Sequence, residues 1–115
     1  TKPRDVWAFE LPKASPTFIG QRQVTADVAQ PDLSVELSGK IVCILNADPG
    51  FDWLFAHPIA GLITAWGGPN SHMAIRAGEL GLPAVIGTGE IIYRRLSAAK
   101  RIHVDCSDQR VEVLS

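Results

Sequence analysis

Three short apolar runs constrain the fold of this chain more than any other feature. They occupy residues 41–45, 61–65 and 84–86, and each has the length and uninterrupted apolar character of a strand buried on both faces. The segments between them carry helix signals, since Asp48 followed by proline can begin one helix and Gly81 can end another. The order strand–helix–strand–helix–strand predicts a central, mostly parallel sheet with right-handed crossovers.

The two ends of the chain are predicted to be antiparallel. Residues 21–28 alternate loosely between apolar and polar side chains, and a polar turn joins two alternating runs at 101–105 and 110–114. Residues 91–99 are predicted to form a short helix, whereas prolines make residues 1–20 irregular. The chain is therefore predicted to be a single α/β domain over residues 1–115.

Composition excludes several classes of function. The net charge of −1 gives no general attraction to nucleic acid or to anionic membranes. No apolar run approaches the roughly 20 residues that span a bilayer, and no signal peptide is visible. Cys43 lies in an apolar run and is expected to be a buried thiol, with a disulfide to Cys106 left open. A reducing cytoplasm fits best, and a chain that begins without Met is expected to be a segment of a longer protein.

The candidate site follows the second predicted strand. Gly67-Gly68 leads through Asn70 and Ser71, either of which can cap a helix, to His72 on the first turn of that helix. The beginning of a helix holds unpaired N–H groups and the positive end of the helix dipole, which together favour anions. Neutral imidazole is a good nucleophile, with a reference pKa of about 6.5. His72 is therefore predicted to accept a phosphoryl group.

Neighbouring residues are predicted to hold the phosphate. The glycines let the backbone approach it, the polar residues donate hydrogen bonds, and a guanidinium lies one helical turn after the histidine. The residues in this prediction are Gly67, Gly68, Asn70, Ser71 and Arg76. Arg76 could instead face an acidic partner surface, or it could face solvent and pair with Glu79.

The remaining histidines and cysteines do not suggest a second site. His57 is expected to close the first helix, and His103 is expected to point outward from the hairpin. The histidines lack the close spacing of zinc ligands and the cysteines form no Cys-x-x-Cys pair, so no metal site is predicted. The sequence also contains no Gly-x-x-x-x-Gly-Lys loop, so it has a phosphate acceptor without a nucleotide-binding loop.

The run from Gly67 to Gly87 resembles the phosphohistidine signature of the phosphoenolpyruvate-utilising enzymes, the family of phosphoenolpyruvate synthase and pyruvate phosphate dikinase. The resemblance extends over roughly residues 14–114. It implies the swivelling β/β/α fold of the family's mobile domain, with helices on one face of a mostly parallel sheet and a smaller antiparallel sheet. It also implies that His72 carries a phosphoryl group between two active sites.

The resemblance further implies a multidomain phosphotransferase in which the isolated domain does not turn over alone. Its partners would be an ATP-grasp nucleotide-binding domain and a substrate domain of the same protein. Mg²⁺ and ATP would bind in those companions, and no cofactor would bind here.

Three residues depart from the family pattern. Met73 replaces a small residue, Arg76 replaces an aliphatic one, and Thr17 replaces a glycine in residues 14–20, which resemble the family's entry segment. Met73 and Arg76 favour a second hypothesis, a non-catalytic binding or regulatory module that retains the swivelling fold. A third hypothesis is a small subunit of an aconitase-type dehydratase, against which the His72 motif argues.

Overall fold

The structure, a computed structural model, describes residues 16–32 and 34–115. Within these residues the strands are β1 (Thr17–Ile19), β2 (Gln23–Ala29), β3 (Ile41–Asn46), β4 (Gly61–Trp66), β5 (Ala84–Ile86), β6 (Arg101–Asp105) and β7 (Arg110–Val113). The helices are a 3₁₀ helix (Pro49–Ala56), α1 (His72–Leu80) and α2 (Glu90–Ala98). The strands form one sheet in the order β1-β5-β4-β3-β2-β6-β7.

The predicted parallel centre is confirmed. Strands β2, β3, β4 and β5 are parallel neighbours, and β3 and β4 are in register from Ile41 opposite Gly61 to Asn46 opposite Trp66. The predicted closing hairpin is also present, because β6 and β7 pair in antiparallel fashion. The apolar runs become central strands because such strands are covered on both faces.

Strand β1 corrects the prediction that residues 1–20 are irregular. It pairs in antiparallel fashion with β5, with Thr17 opposite Ile86 and Ile19 opposite Ala84. Three residues are too short to show a strand period, so only pairing with a central strand reveals the element. Residues 1–15 lie outside the described residues.

The helices cover both faces of the sheet, so the prediction of helices on one face is wrong. Val42 and Ile44 of β3 pack in one core with the 3₁₀ helix and α1, whereas Ile41 and Cys43 pack in another core with Leu96 of α2. Successive side chains of a strand point to opposite faces, which is why one strand contributes to both cores.

The antiparallel strands are continuous with the central sheet. Strand β2 pairs with β3 through Val28 and Ala29, and it pairs with β6 from Gln23 to Asp27. Side chains of β6 and β7 pack in the same core as α2 and the second face of β3. The predicted smaller antiparallel sheet is therefore an extension that shares β2 and curls over this face.

The described residues include two buried cysteines without a disulfide between them. Both thiols are free, and burial raises the pKa of Cys43 to about 12. The prediction of a buried Cys43 thiol is confirmed, and the disulfide that was left open is not formed. Across residues 16–32 and 34–115, no helix has the length and apolar character to cross a membrane.

Both crossovers that shape the site begin at one edge of the sheet. Asn46 and Trp66, the last residues of β3 and β4, are paired, and the Ala47 N–H donates to the Trp66 carbonyl at 3.2 Å. The 3₁₀ helix follows β3 and α1 follows β4, so the two segments lie side by side. Carboxyl ends of parallel strands commonly hold ligands in α/β sheets.

Candidate functional site

Ser71 is the cap that begins α1. Its backbone is extended (φ −69°, ψ 155°), its hydroxyl accepts from the Ala74 N–H at 3.4 Å, and the same hydroxyl donates to the Gly68 carbonyl at 2.8 Å. Of the two predicted caps, Ser71 therefore has this role and Asn70 is an exposed residue of the preceding turn. Gly81 ends the helix in the left-handed region (φ 69°), as predicted.

His72 is the first residue of α1, and its ring is accessible. Its side chain is 40% exposed, and its Nε2 atom lies 2.8 Å from Oδ1 of Asp52 on the 3₁₀ helix. A carboxylate can only accept a hydrogen bond, so the ring donates from Nε2. The predicted position of His72 at the helix beginning is confirmed, and its contact with Asp52 is new.

Arg76 shares the same carboxylate oxygen with His72. Its Nε donates to Asp52 Oδ1 at 3.2 Å, and its guanidinium lies 5.5 Å from the centre of the Phe55 ring, within cation–π range. It also forms an ion pair with Glu79 at 3.5 Å. The predicted Glu79 pairing is confirmed, whereas a role for Arg76 in binding phosphate stays a prediction.

The surroundings of Asp52 favour its charged form. The hydrogen bond from His72, together with the hydrogen bond and charge of Arg76, lowers the pKa of Asp52 below its ordinary value of 3.8. Desolvation opposes this shift without reversing it. A charged carboxylate therefore faces the His72 ring at neutral pH.

We expect Asp52 to stabilise the fold at neutral pH and to lose this effect in acid. Because its folded pKa is lowered, its contribution is present above the unfolded value and disappears as the pH falls through the folded one. The effect should be small, since the carboxylate is 45% exposed. Thermal unfolding of the wild type and Asp52→Asn from about pH 7 to about pH 3 measures it. A gap between their midpoints that widens in acid would contradict the prediction.

The two glycines of the pair, Gly67 and Gly68, have different surroundings. Gly67 has φ +125°, and a Cβ atom there would lie 2.6 Å from the Cβ of Ala47. A Cβ atom on Gly87 would in turn lie 2.5 Å from the Gly67 carbonyl oxygen. Nothing lies within 4 Å of the corresponding position on Gly68. The structure thus gives Gly67 a packing role, and it leaves open space beside Gly68.

Two buried threonines connect the glycine loop to the sheet. The Thr64 hydroxyl donates to the Trp66 carbonyl at 2.9 Å and accepts from the Gly87 N–H at 3.0 Å. The Thr88 hydroxyl donates to the Thr64 carbonyl at 3.0 Å. Buried hydroxyls are costly unless they are bonded, and the bonds to Gly87 and from Thr88 tie the end of β4 to the residues that follow β5. The loop that leads to His72 therefore starts from a rigid edge.

The other two histidines, His57 and His103, make structural contacts away from the beginning of α1. The His57 N–H donates to the Leu54 carbonyl at the end of the 3₁₀ helix, and its ring packs edge-on against Trp53 at 5.9 Å. His103 on β6 bonds the Thr25 hydroxyl at 2.6 Å through Nδ1. Their expected structural contacts are confirmed. No group of three or more metal-ligating side chains occurs in the part of the chain that the structure describes.

The buried face of α1 combines one large side chain with two small ones. Met73, Ala74 and Ala77 are buried against the sheet, whereas Ile75 is 50% exposed. Ile75 is therefore not part of the buried face of α1. Met73, which departs from the family pattern, fills the core beside the 3₁₀ helix residue Leu54.

Two sequence comparisons agree on one family. The family model described as PEP-utilising enzyme, mobile domain, matches residues 36–109. A rifampicin phosphotransferase of Streptomyces sviceus is 39% identical over 105 residues, and a phosphoenolpyruvate synthase of Aquifex aeolicus is 36% identical over 93 residues. The alignments cover 91% and 77% of this chain but only 12% and 10% of those relatives, which are much longer proteins.

A solved structure shares the fold at low sequence identity. The crystal structure of Thermococcus kodakaraensis aconitase X superposes with a TM-score of 0.57 and 14% identity, covering 90% of this chain and 99% of that one. At this identity the likeness concerns the fold alone.

Proposed function

We propose that this chain, which belongs to the family of PEP-utilising enzyme mobile domains, carries a phosphoryl group on His72 within a larger phosphotransferase. The observation that carries the proposal is the exposed His72 ring at the first residue of a helix capped by Ser71. A nucleophile is thereby placed beside the N–H groups that attract anions. In this proposal residues 1–115 act as one mobile domain of the swivelling type.

The transfer needs two balanced steps. A ring nitrogen of His72 attacks the phosphorus of the donor, the bond from phosphorus to the donor oxygen breaks, and the electron pair leaves with that oxygen while the ring gives up a proton. An oxygen of the acceptor then attacks the same phosphorus, the phosphorus–nitrogen bond breaks with its electron pair returning to the ring, and the acceptor hydroxyl loses a proton as the ring regains one. Phosphoryl transfer depends mainly on positioning and on neutralising charge, which a carrier can supply with few residues.

The negative charge of the phosphoryl group on His72 would be stabilised by the beginning of α1. An exposed helix terminus stabilises a nearby anion by about 0.3–1 kcal/mol, and the Arg76 guanidinium can form charge-assisted hydrogen bonds to phosphoryl oxygens. We assign Gly68, Asn70 and Ser71 to the phosphate-facing turn, with Gly67 holding that turn in place. The open space beside Gly68 supports its assignment.

The partners in this proposal are other domains of the same protein. An ATP-grasp domain would bind ATP and Mg²⁺ and phosphorylate His72, and a substrate domain would receive the group. The chain covers only 12% of the rifampicin phosphotransferase and 10% of the phosphoenolpyruvate synthase, which supports companion domains in the same protein. The two free buried thiols fit the reducing cytoplasm that we propose as its location.

The second hypothesis, a binding module without catalysis, loses part of its support. It rested on the departures Met73 and Arg76, and these side chains pack in the core and join an ion-pair cluster that includes Asp52. Packing and ion pairing thus account for Met73 and Arg76, and both roles are compatible with His72 as a phosphoryl carrier. The dehydratase subunit likewise has no observation in its favour beyond a shared fold.

Mapping the phosphate tests the proposal directly. The full-length protein is incubated with Mg²⁺ and ATP labelled in its β- and γ-phosphates, and the phosphorylated peptide is identified by mass spectrometry under basic conditions. We expect one label per chain on His72, labile in acid and stable in base, because its phosphorus is bonded to nitrogen. An acid-stable label on a hydroxyl, or a label on another histidine, would refute the assignment.

A further inference from the structure

One carboxylate oxygen occupies the space beside the reactive ring. Asp52 Oδ1 accepts from His72 Nε2 at 2.8 Å and from Arg76 Nε at 3.2 Å. Asp52 is not part of the glycine–histidine motif, and it reaches the site from the 3₁₀ helix that follows a different strand. The site therefore contains an acidic residue as well as the groups that would hold a phosphate.

We propose that Asp52 is a positioning residue that masks Nε2 of His72 in the unphosphorylated carrier and is displaced when this atom is phosphorylated. The proposal rests on the carrier function of His72 and adds a second residue to it. Arg76 would then exchange one anionic partner for another, from the Asp52 carboxylate to the phosphoryl group.

The geometry leaves no room for both anions. A phosphorus atom bonded to Nε2 would lie well within the 2.8 Å that separate Nε2 from Asp52 Oδ1, and its oxygens would meet the carboxylate. A phosphoryl group carries up to about two negative charges, which a neighbouring carboxylate repels. Phosphorylation at Nε2 and the present Asp52 contact therefore exclude each other.

The same contact controls the nucleophile before any transfer. A charged carboxylate beside Nε2 keeps a proton on this atom, so its lone pair cannot attack phosphorus. A donor domain that docks on His72 must first move Asp52 aside, which ties reactivity to docking. This movement is local, because Asp52 is 45% exposed whereas its neighbour Leu54 anchors the 3₁₀ helix in the core.

Chemical phosphorylation with phosphoramidate tests the mask without a donor domain. A ring nitrogen attacks the phosphorus, the phosphorus–nitrogen bond of the reagent breaks, and ammonia leaves while the ring proton passes to it through solvent. Removing the charge in Asp52→Asn should increase the rate at Nε2 by about five-fold, as expected for one charge removed at close range in water. Glu79→Gln is the matched control, because Glu79 pairs with Arg76 without contacting His72, and its rate should change less than about two-fold.

Nitrogen NMR of the labelled ring supplies the second measurement. The wild-type His72 ring should carry its proton on Nε2, and Asp52→Asn should lose this preference while thermal unfolding remains cooperative. Phosphorus–nitrogen coupling then identifies the phosphorylated atom. Equal rates of phosphorylation at Nε2 in the wild type and Asp52→Asn, or a wild-type Nε2 that carries no proton, would overturn the role of Asp52. A wild-type His72 that accepts no phosphate from its donor domain would instead refute the carrier function.

Discussion

Replacing His72 with alanine is expected to abolish the acid-labile phosphorylation of the full-length protein. Overall phosphoryl transfer should fall by at least about a thousandfold, as is usual when an enzyme loses its nucleophile. The neighbouring hydroxyl cannot replace the ring, since Ser71 is engaged with the Gly68 carbonyl and the Ala74 N–H. Label incorporation and turnover of the final acceptor measure the two effects. Because His72 is exposed, the free energy of unfolding should change by no more than about 0.5 kcal/mol.

The other histidines provide the control for this experiment. His57 packs against Trp53, and His103 bonds Thr25 on a neighbouring strand, so neither lies at the beginning of α1. His57→Ala and His103→Ala should both retain the label on His72. An acid-labile label that persists in His72→Ala, or disappears only in one of the control variants, would show that another residue is the carrier.

The central strands could be predicted because strands that are buried on both faces consist of uninterrupted apolar residues. The run at 84–86 is β5 with the predicted bounds, and the runs at 41–45 and 61–65 each extend by one residue in β3 and β4. Strand β1 and the placement of α2 on the second face could not be predicted. Both depend on which distant element supplies the packing partner, and a local window of sequence does not contain this information.

The candidate site was predictable only where it is local in the sequence. The glycine pair, the cap and the histidine lie within six residues, from Gly67 to His72, so their spacing reveals them. Asp52 was missed because twenty residues separate it from His72. One signal was available, since the segments that follow adjacent parallel strands meet at the same edge of the sheet. The choice of Asp52 over Asp48 still required the structure, in which Asp48 caps the 3₁₀ helix through the Gly50 N–H.

The two departures of α1 from the family pattern are matched by residues of one other element. Met73 packs in the core that contains Leu54, and Arg76 contacts Asp52 and Phe55. All three partners belong to the 3₁₀ helix, which was predicted as a helix without its type. Met73 and Arg76 thus strengthen the contact between α1 and the 3₁₀ helix. Neither residue alters Ser71 or His72 at the beginning of α1.

Gly67→Ala is expected to destabilise the domain by about 3–4 kcal/mol, through an unfavourable backbone conformation and an overpacked contact. The residue has φ +125°, and its new Cβ would lie 2.6 Å from the Cβ of Ala47 and 3.3 Å from Ile86. Relief by a backbone shift is limited, because the Gly67 carbonyl lies against Gly87. Such a loss is a large part of the roughly 5–15 kcal/mol that stabilise a typical domain.

Gly68→Ala is the matched control one residue along the chain. Its Cβ would meet nothing within 4 Å, so its free energy of unfolding should remain within about 0.5 kcal/mol of the wild type. Urea unfolding of both variants, with the slope of the transition compared to confirm two-state behaviour, measures the difference. Equal stability of the two variants would mean that the loop relaxes freely, and the rigid edge described for the His72 turn would then be wrong. A large difference would instead show that one glycine of the pair holds the turn in place, while the other leaves space beside it.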